Sequence, residues 1–130
     1  MHPVAPLRLA VVLSGAVLLA AYASLASAAV PAKVADGVFV GPNDMTLYTF
    51  DRDAVGSGKS VCNGACAVNW PPLMAGGSDK PEGDWTVITR DDGAHQWAYR
   101  GKPVYYWVKD TKPGDRTGDG VNNAWRLVRP

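Results

Sequence analysis

The chain has few of the residues that do chemistry: two cysteines, two histidines and a single glutamate, Glu82, in 130 residues. One histidine, His2, lies in the leader described below, so His95 is the only imidazole left for a functional domain. A Ser–His–Asp triad would have to join it to Ser57, Ser60 or Ser78, which sit in loop-like sequence with no nucleophile elbow around them. A carboxylate pair for glycoside cleavage could draw only on Glu82 and scattered aspartates. Catalysis is thinly provisioned, and no catalytic residue is assigned. Blocks of lysine or arginine are also missing, which argues against nucleic acid or an anionic lipid surface as a partner.

Long apolar runs are scarce too. The one present, Leu9 to Ala23, falls short of the ~20 residues that span a bilayer, and no basic stop signal follows it. Arg8 precedes the run and the small residues Ala26-Ser27-Ala28 follow it. This is the order of a secretory signal, with cleavage expected after Ala28 or Ala29. Residues 1–28 are thus read as a signal peptide and 29–130 as one small domain, periplasmic or secreted, with no membrane anchor after cleavage. Loss of Arg8 leaves acidic and basic side chains equal in number.

The remaining sequence has the texture of short strands and polar turns. Gly37-Val38-Phe39-Val40, then Gly41-Pro42-Asn43-Asp44, then Met45 to Phe50 reads as strand, turn, strand. Val30 to Lys33 reads as a frayed lead-in. Cys62 to Trp70 suits one or two helical turns, stopped by Pro71-Pro72. Trp85 to Arg90 and Gln96 to Tyr99 flank the hairpin signal Asp91-Asp92-Gly93. Arg100 to Pro103 reads as a turn, Val104 to Val108 as a strand, and Trp125 to Val128 as a short last strand. The class is mostly β: a small antiparallel domain with one short helical turn near the cysteine pair.

An internal repeat runs through it. Tyr48, Phe50 and Asp53 recur in spacing as Tyr105, Trp107 and Asp110, each set following a turn with Gly and Pro and ending in a polar loop. The domain therefore reads as two related strand-loop units. In each strand the Tyr and the second aromatic share a face. The Asp falls just past the strand end, where it can accept backbone N–H groups and fix the loop.

This doubled Tyr-x-(Phe/Trp/Tyr)-x-x-Asp pattern resembles the bacterial secreted-repeat lipoproteins named for that motif. Cys62-Asn63-Gly64-Ala65-Cys66 followed by Trp70-Pro71-Pro72-Leu73 resembles the same family, as do Gln96 to Tyr105 and Pro113 to Val121. The resemblance covers residue 36 to Pro130. It implies an exported bacterial domain and no reaction, since the family's function is unknown. Many members carry a lipid-bearing cysteine just after the signal. Here that region is Leu25 to Ala29 and the first cysteine is Cys62, so no lipid attachment is expected.

In an oxidising compartment Cys62 and Cys66 are expected to form a disulfide. The loop it closes is about five residues, for ~2 kcal/mol of chain-entropy gain. The alternative is a Cu(I) or redox site, with the two thiolates joined by His95, Met45 or Met74. Asp115 to Gly120 matches the first half of a calcium loop, but Arg126 stands where a bidentate Glu is needed. Gly56-Ser57-Gly58-Lys59-Ser60 lacks the leading Gly of a phosphate loop, a position held by Asp53. An exposed coplanar set among Trp85, Trp97, Trp107 and Trp125 would make a platform for sugar or peptide. The expectation is an exported, non-enzymatic binding or interaction module without a cofactor, copper being the alternative, whose partner is an envelope protein or a glycan.

Overall fold

The computed structural model describes residues 2–4 and 30–130. The export signal expected over residues 1–28 lies, but for positions 2–4, outside the described residues, as does Ala29. Among the described residues no helix is long and apolar enough to cross a membrane.

Turn chemistry sets the strand boundaries. Asp36 and Gly37 both adopt left-handed φ, 49° and 81°. That is the two-residue turn whose twist suits a hairpin. It joins β1 (Lys33–Ala35) to β2 (Val38–Val40). Of the lead-in read as frayed, Val30 to Ala32 belong to no strand, and only Lys33 joins β1. The side chains of β1 are exposed and carry no burial signal; backbone pairing with β2 holds it, together with a Lys33–Asp44 ion pair and the Arg116 guanidinium on the Ala35 carbonyl. Arg100 and Gly101 repeat the device at 47° and 81°. The expected longer turn shrinks to these two residues, and β6 (Lys102–Tyr105) starts at once, paired with β5 (His95–Tyr99). Gly101 is required for a second reason: a Cβ there would stand 2.8 Å from the backbone N of Gly56.

β3 (Tyr48–Phe50), β4 (Trp85–Thr89) and β7 (Trp125–Leu127) complete a five-stranded antiparallel sheet in the order β4-β5-β6-β3-β7. The α-helix found among the described residues, α1 (Ala65–Asn69), ends at Trp70, whose N–H bonds to the Cys66 carbonyl at 2.8 Å. Pro71-Pro72 does more than stop it. The chain runs on extended beside β6 and β5: Pro71 O accepts Tyr106 N–H, Leu73 N–H reaches Val104 O, and Leu73 O accepts Trp97 N–H.

The pairing interlocks the two repeats. The Trp70–Ala75 segment, which belongs to the first, bonds to strands of the second. β7, from the second, pairs with β3 of the first through Phe50↔Trp125 and Tyr48↔Leu127. At the centre β3 and β6 lie antiparallel with Tyr48 directly opposite Tyr105.

Side chains alternate across this central pair, as strand geometry dictates. Leu47 and Val104 face one cluster, with Phe39, Leu73, Trp85, Trp97, Tyr99 and Val128. Tyr48, Phe50 and Tyr105 face the other, with Cys62, Trp70 and Trp125. The sheet centre is thus covered on both faces, which lets a small domain bury large aromatics.

Candidate functional site

The repeated Tyr and Asp residues meet crosswise. Tyr48 of the first motif donates its hydroxyl to Asp110 Oδ2 of the second at 2.6 Å. Tyr105 of the second donates to Asp53 Oδ2 of the first at 2.5 Å. Each carboxylate fixes its own loop with the other oxygen. Asp53 Oδ1 accepts Val61 N–H at 2.8 Å, and Asp110 Oδ1 accepts Thr117 N–H at 3.0 Å and the Thr117 hydroxyl at 2.6 Å. Asp53 is 1% exposed and Asp110 7%. Such buried acceptors are stable only while fully bonded. Burial, then the bonded aspartate, pushes both phenols well above the ordinary tyrosine range. Burial also pushes the Tyr106 phenol up. These four motif residues therefore lock the two repeats together and present no reactive group to solvent.

The second aromatic of each motif ends a pile of rings. Phe50 stacks on Trp125 at 4.3 Å between centroids, Trp125 on Trp70 at 3.7 Å, and Trp70 on Trp107 at 3.9 Å. Phe50 and Trp107 are the ends, so the pile follows the pseudo-symmetry of the repeats. Trp107 lies just beyond β6, since pairing stops at Tyr105, yet it still faces the same cluster as Tyr105. The tryptophans expected as a possible platform do not share an exposed face. Trp85 and Trp97 lie in one cluster and Trp125 in the other, and none of the three is more than 6% exposed. Only Trp107 among them is partly open, with Lys109 Nζ 5.7 Å above its ring.

The sulfurs of Cys62 and Cys66 are bonded to each other. Cys62 is fully buried, and its carbonyl accepts the Arg90 guanidinium at 2.5 Å. Arg90, 4% exposed, also donates to Gln96 Oε1 at 2.6 Å and pairs with no carboxylate among the described residues. His95 is the first residue of β5; it pairs with Thr89 because the Asp91-Asp92-Gly93 turn is short, and its Nδ1 lies 3.4 Å from the Thr89 hydroxyl. Met74 bridges to Gln96 beside it, and Met45 lies in the turn before β3. Among the described residues no three His, Cys, Asp or Glu side chains stand together as a metal site.

Asp115, in the calcium-like stretch, turns inward on its own loop. It accepts Thr111 N–H at 2.9 Å and Lys112 N–H at 3.2 Å, bonds that hold its carboxyl below the usual range. Arg126 pairs with Asp51 at 3.0 Å instead of completing that loop. Ser57 bonds within its own glycine-rich loop to Lys59.

A hollow of about 320 Å³ opens along the edge of the ring pile, lined by Phe50, Arg52, Cys66, Asn69, Trp70, Asn122, Ala124 and Trp125. Its polar side chains differ from most of their counterparts elsewhere, Arg129 being likewise without a side-chain bond among the described residues. Asn43, Asn63 and Asn123 all use their amides inside the fold. Arg90, Arg100, Arg116 and Arg126 all use their guanidinium groups. Asn69, Asn122 and Arg52 make no side-chain bond among the described residues, and all three line this hollow. No carboxylate does. Asn122 is held there with φ of 53°, a left-handed conformation that asparagine tolerates better than most residues. Sequence reasoning missed this trio. The available signal was positional: Arg52 follows Phe50 by the same interval as Lys109 follows Trp107.

Comparison with known families matches residues 31–74 and 86–129, one stretch per repeat, to Lipoprotein_15, described as a secreted repeat of unknown function. No curated protein and no solved structure matches the chain. The two matched stretches take in most of the folded domain, and the chain belongs to this family of secreted repeats.

Proposed function

We propose that this protein is an exported, non-enzymatic binding module that holds a polar ligand of the cell envelope, a glycan fragment, in the hollow beside the ring pile. The observation that carries the reading is the convergence of Arg52, Asn69 and Asn122, exposed and without a side-chain bond among the described residues, around the edges of the buried rings Phe50, Trp70 and Trp125. A binding site pairs an apolar wall with a few polar groups left available to the ligand. These ring edges are held rigidly, because stacked rings inside a closed core have nowhere to move. The leader is cleaved during export after Ala28 or Ala29, and without a cysteine there the mature chain stays unlipidated in the periplasm or outside the cell.

The test is titration of the isotope-labelled mature protein with glycan fragments released from the producing cell's envelope. The side-chain amides of Asn69 and Asn122 and the Trp125 indole N–H should shift together, and Asn69→Ala should weaken the effect. Shifts confined to other surfaces, or none, contradict the reading. Mass spectrometry of the native protein should find a chain beginning at Ala29 or Val30.

A further inference from the structure

We infer that the ligand of this hollow carries a carboxylate on a hydroxylated ring, a uronic-acid unit, and that Arg52 recognises the carboxylate. The inference rests on the binding reading above and adds the charge class. Arg52 is the only ionisable side chain among the described residues lining the hollow. Its guanidinium makes no hydrogen bond or ion pair among the described residues, whereas Arg126, next in sequence to Trp125, is paired with Asp51, and Lys109 stands over Trp107 at the far end of the pile. A planar guanidinium matches a carboxylate by two parallel N–H···O bonds.

Asn69 and Asn122 supply a different chemistry. Each offers two N–H donors and a carbonyl acceptor, and this dual character suits ring hydroxyls, which both donate and accept. The rings of Phe50, Trp70 and Trp125, whose faces are taken up in the pile, line the hollow with their edges and give it an apolar floor. A bare inorganic anion would leave both amides and the floor unused. A neutral sugar would leave Arg52 unmatched. Two other hollows among the described residues lack this combination. One is lined by Asp36 and Asp44, with its Arg116 bonded to the carbonyls of Ala35 and Asp36. The other contains Asp110, already bonded to Tyr48 and Thr117, and no cation.

The experiment compares galacturonic-acid oligomers, the matching neutral galactose oligomers and inorganic phosphate, each titrated into the mature protein with its disulfide intact. The uronate should bind at least about tenfold more tightly than the neutral oligomer, and Arg52→Gln should remove that advantage without changing the melting temperature. Raising the salt concentration should weaken uronate binding, and Lys80→Gln, an equal charge change in the exposed inter-repeat loop, should leave it unaltered. Equal binding of neutral and acidic oligomers, insensitive to Arg52→Gln but weakened by Asn69→Ala, overturns the charge assignment and leaves the binding module standing. Arg52-dependent binding of phosphate as tight as that of uronate overturns the sugar assignment. No response at the hollow to any of the three overturns both.

Discussion

Tyr105 and Asp53 depend on each other because both are buried and each has one polar group to satisfy. Tyr105→Phe would leave Asp53 Oδ2 without this donor and the Ser60 hydroxyl, now 2.5 Å from the phenol oxygen, with Cys62 alone as its partner. The expected cost is about 1–3 kcal/mol, read from the urea midpoint, with the fold retained. A second expectation concerns pH. The phenols of Tyr48 and Tyr105 are raised in the folded state, mainly by burial. The protonated form is the one the fold accepts, so their contribution is fully present below the unfolded value, about 10. Above it the unfolded chain loses protons that the native chain keeps, and stability should fall as pH climbs. Equilibrium unfolding across that alkaline range should show the decline, and Tyr105→Phe should make it shallower.

The elements show which parts of the sequence speak locally. β2 to β6 were legible, because alternating side chains and Gly- or Asp-bearing turns encode them within a few residues. β1 was not, since Lys33, Val34 and Ala35 are all exposed and the hairpin depends on the left-handed pair Asp36-Gly37. The Trp70–Ala75 segment read only as the end of a helix, because Pro71-Pro72 signals a stop and says nothing about the strand it then lies beside. The cysteine loop was legible from spacing and compartment, whereas the hollow it borders was not, since Arg52, Asn69 and Asn122 converge only after both repeats fold. Replacing Cys62 and Cys66 together by Ala should lower stability by about 2 kcal/mol, the entropy of so small a loop, as read by urea unfolding. The five-stranded sheet should survive, with unchanged far-ultraviolet circular dichroism.

At the scale of the molecule, the two repeats are halves of one core. β7 completes the sheet of the first repeat, and the Trp70 segment completes that of the second. The Tyr–Asp bonds cross the same boundary in both directions. The ring pile alternates ownership, with Phe50 and Trp70 from one repeat and Trp125 and Trp107 from the other. The doubled motif was visible in sequence, but this exchange was not, because hydrophobic alternation fixes which face a residue takes and leaves the choice of partner strand open. The proposed binding hollow inherits the arrangement, since Arg52 and Asn69 come from one repeat and Asn122 from the other.

Producing residues 30–78 and 79–130 as separate chains tests the interlock most directly. Each alone should be unfolded by circular dichroism, and mixing them should give a one-to-one complex with cooperative melting and the tryptophan emission of the intact domain. Cooperative folding of either piece by itself would contradict the account.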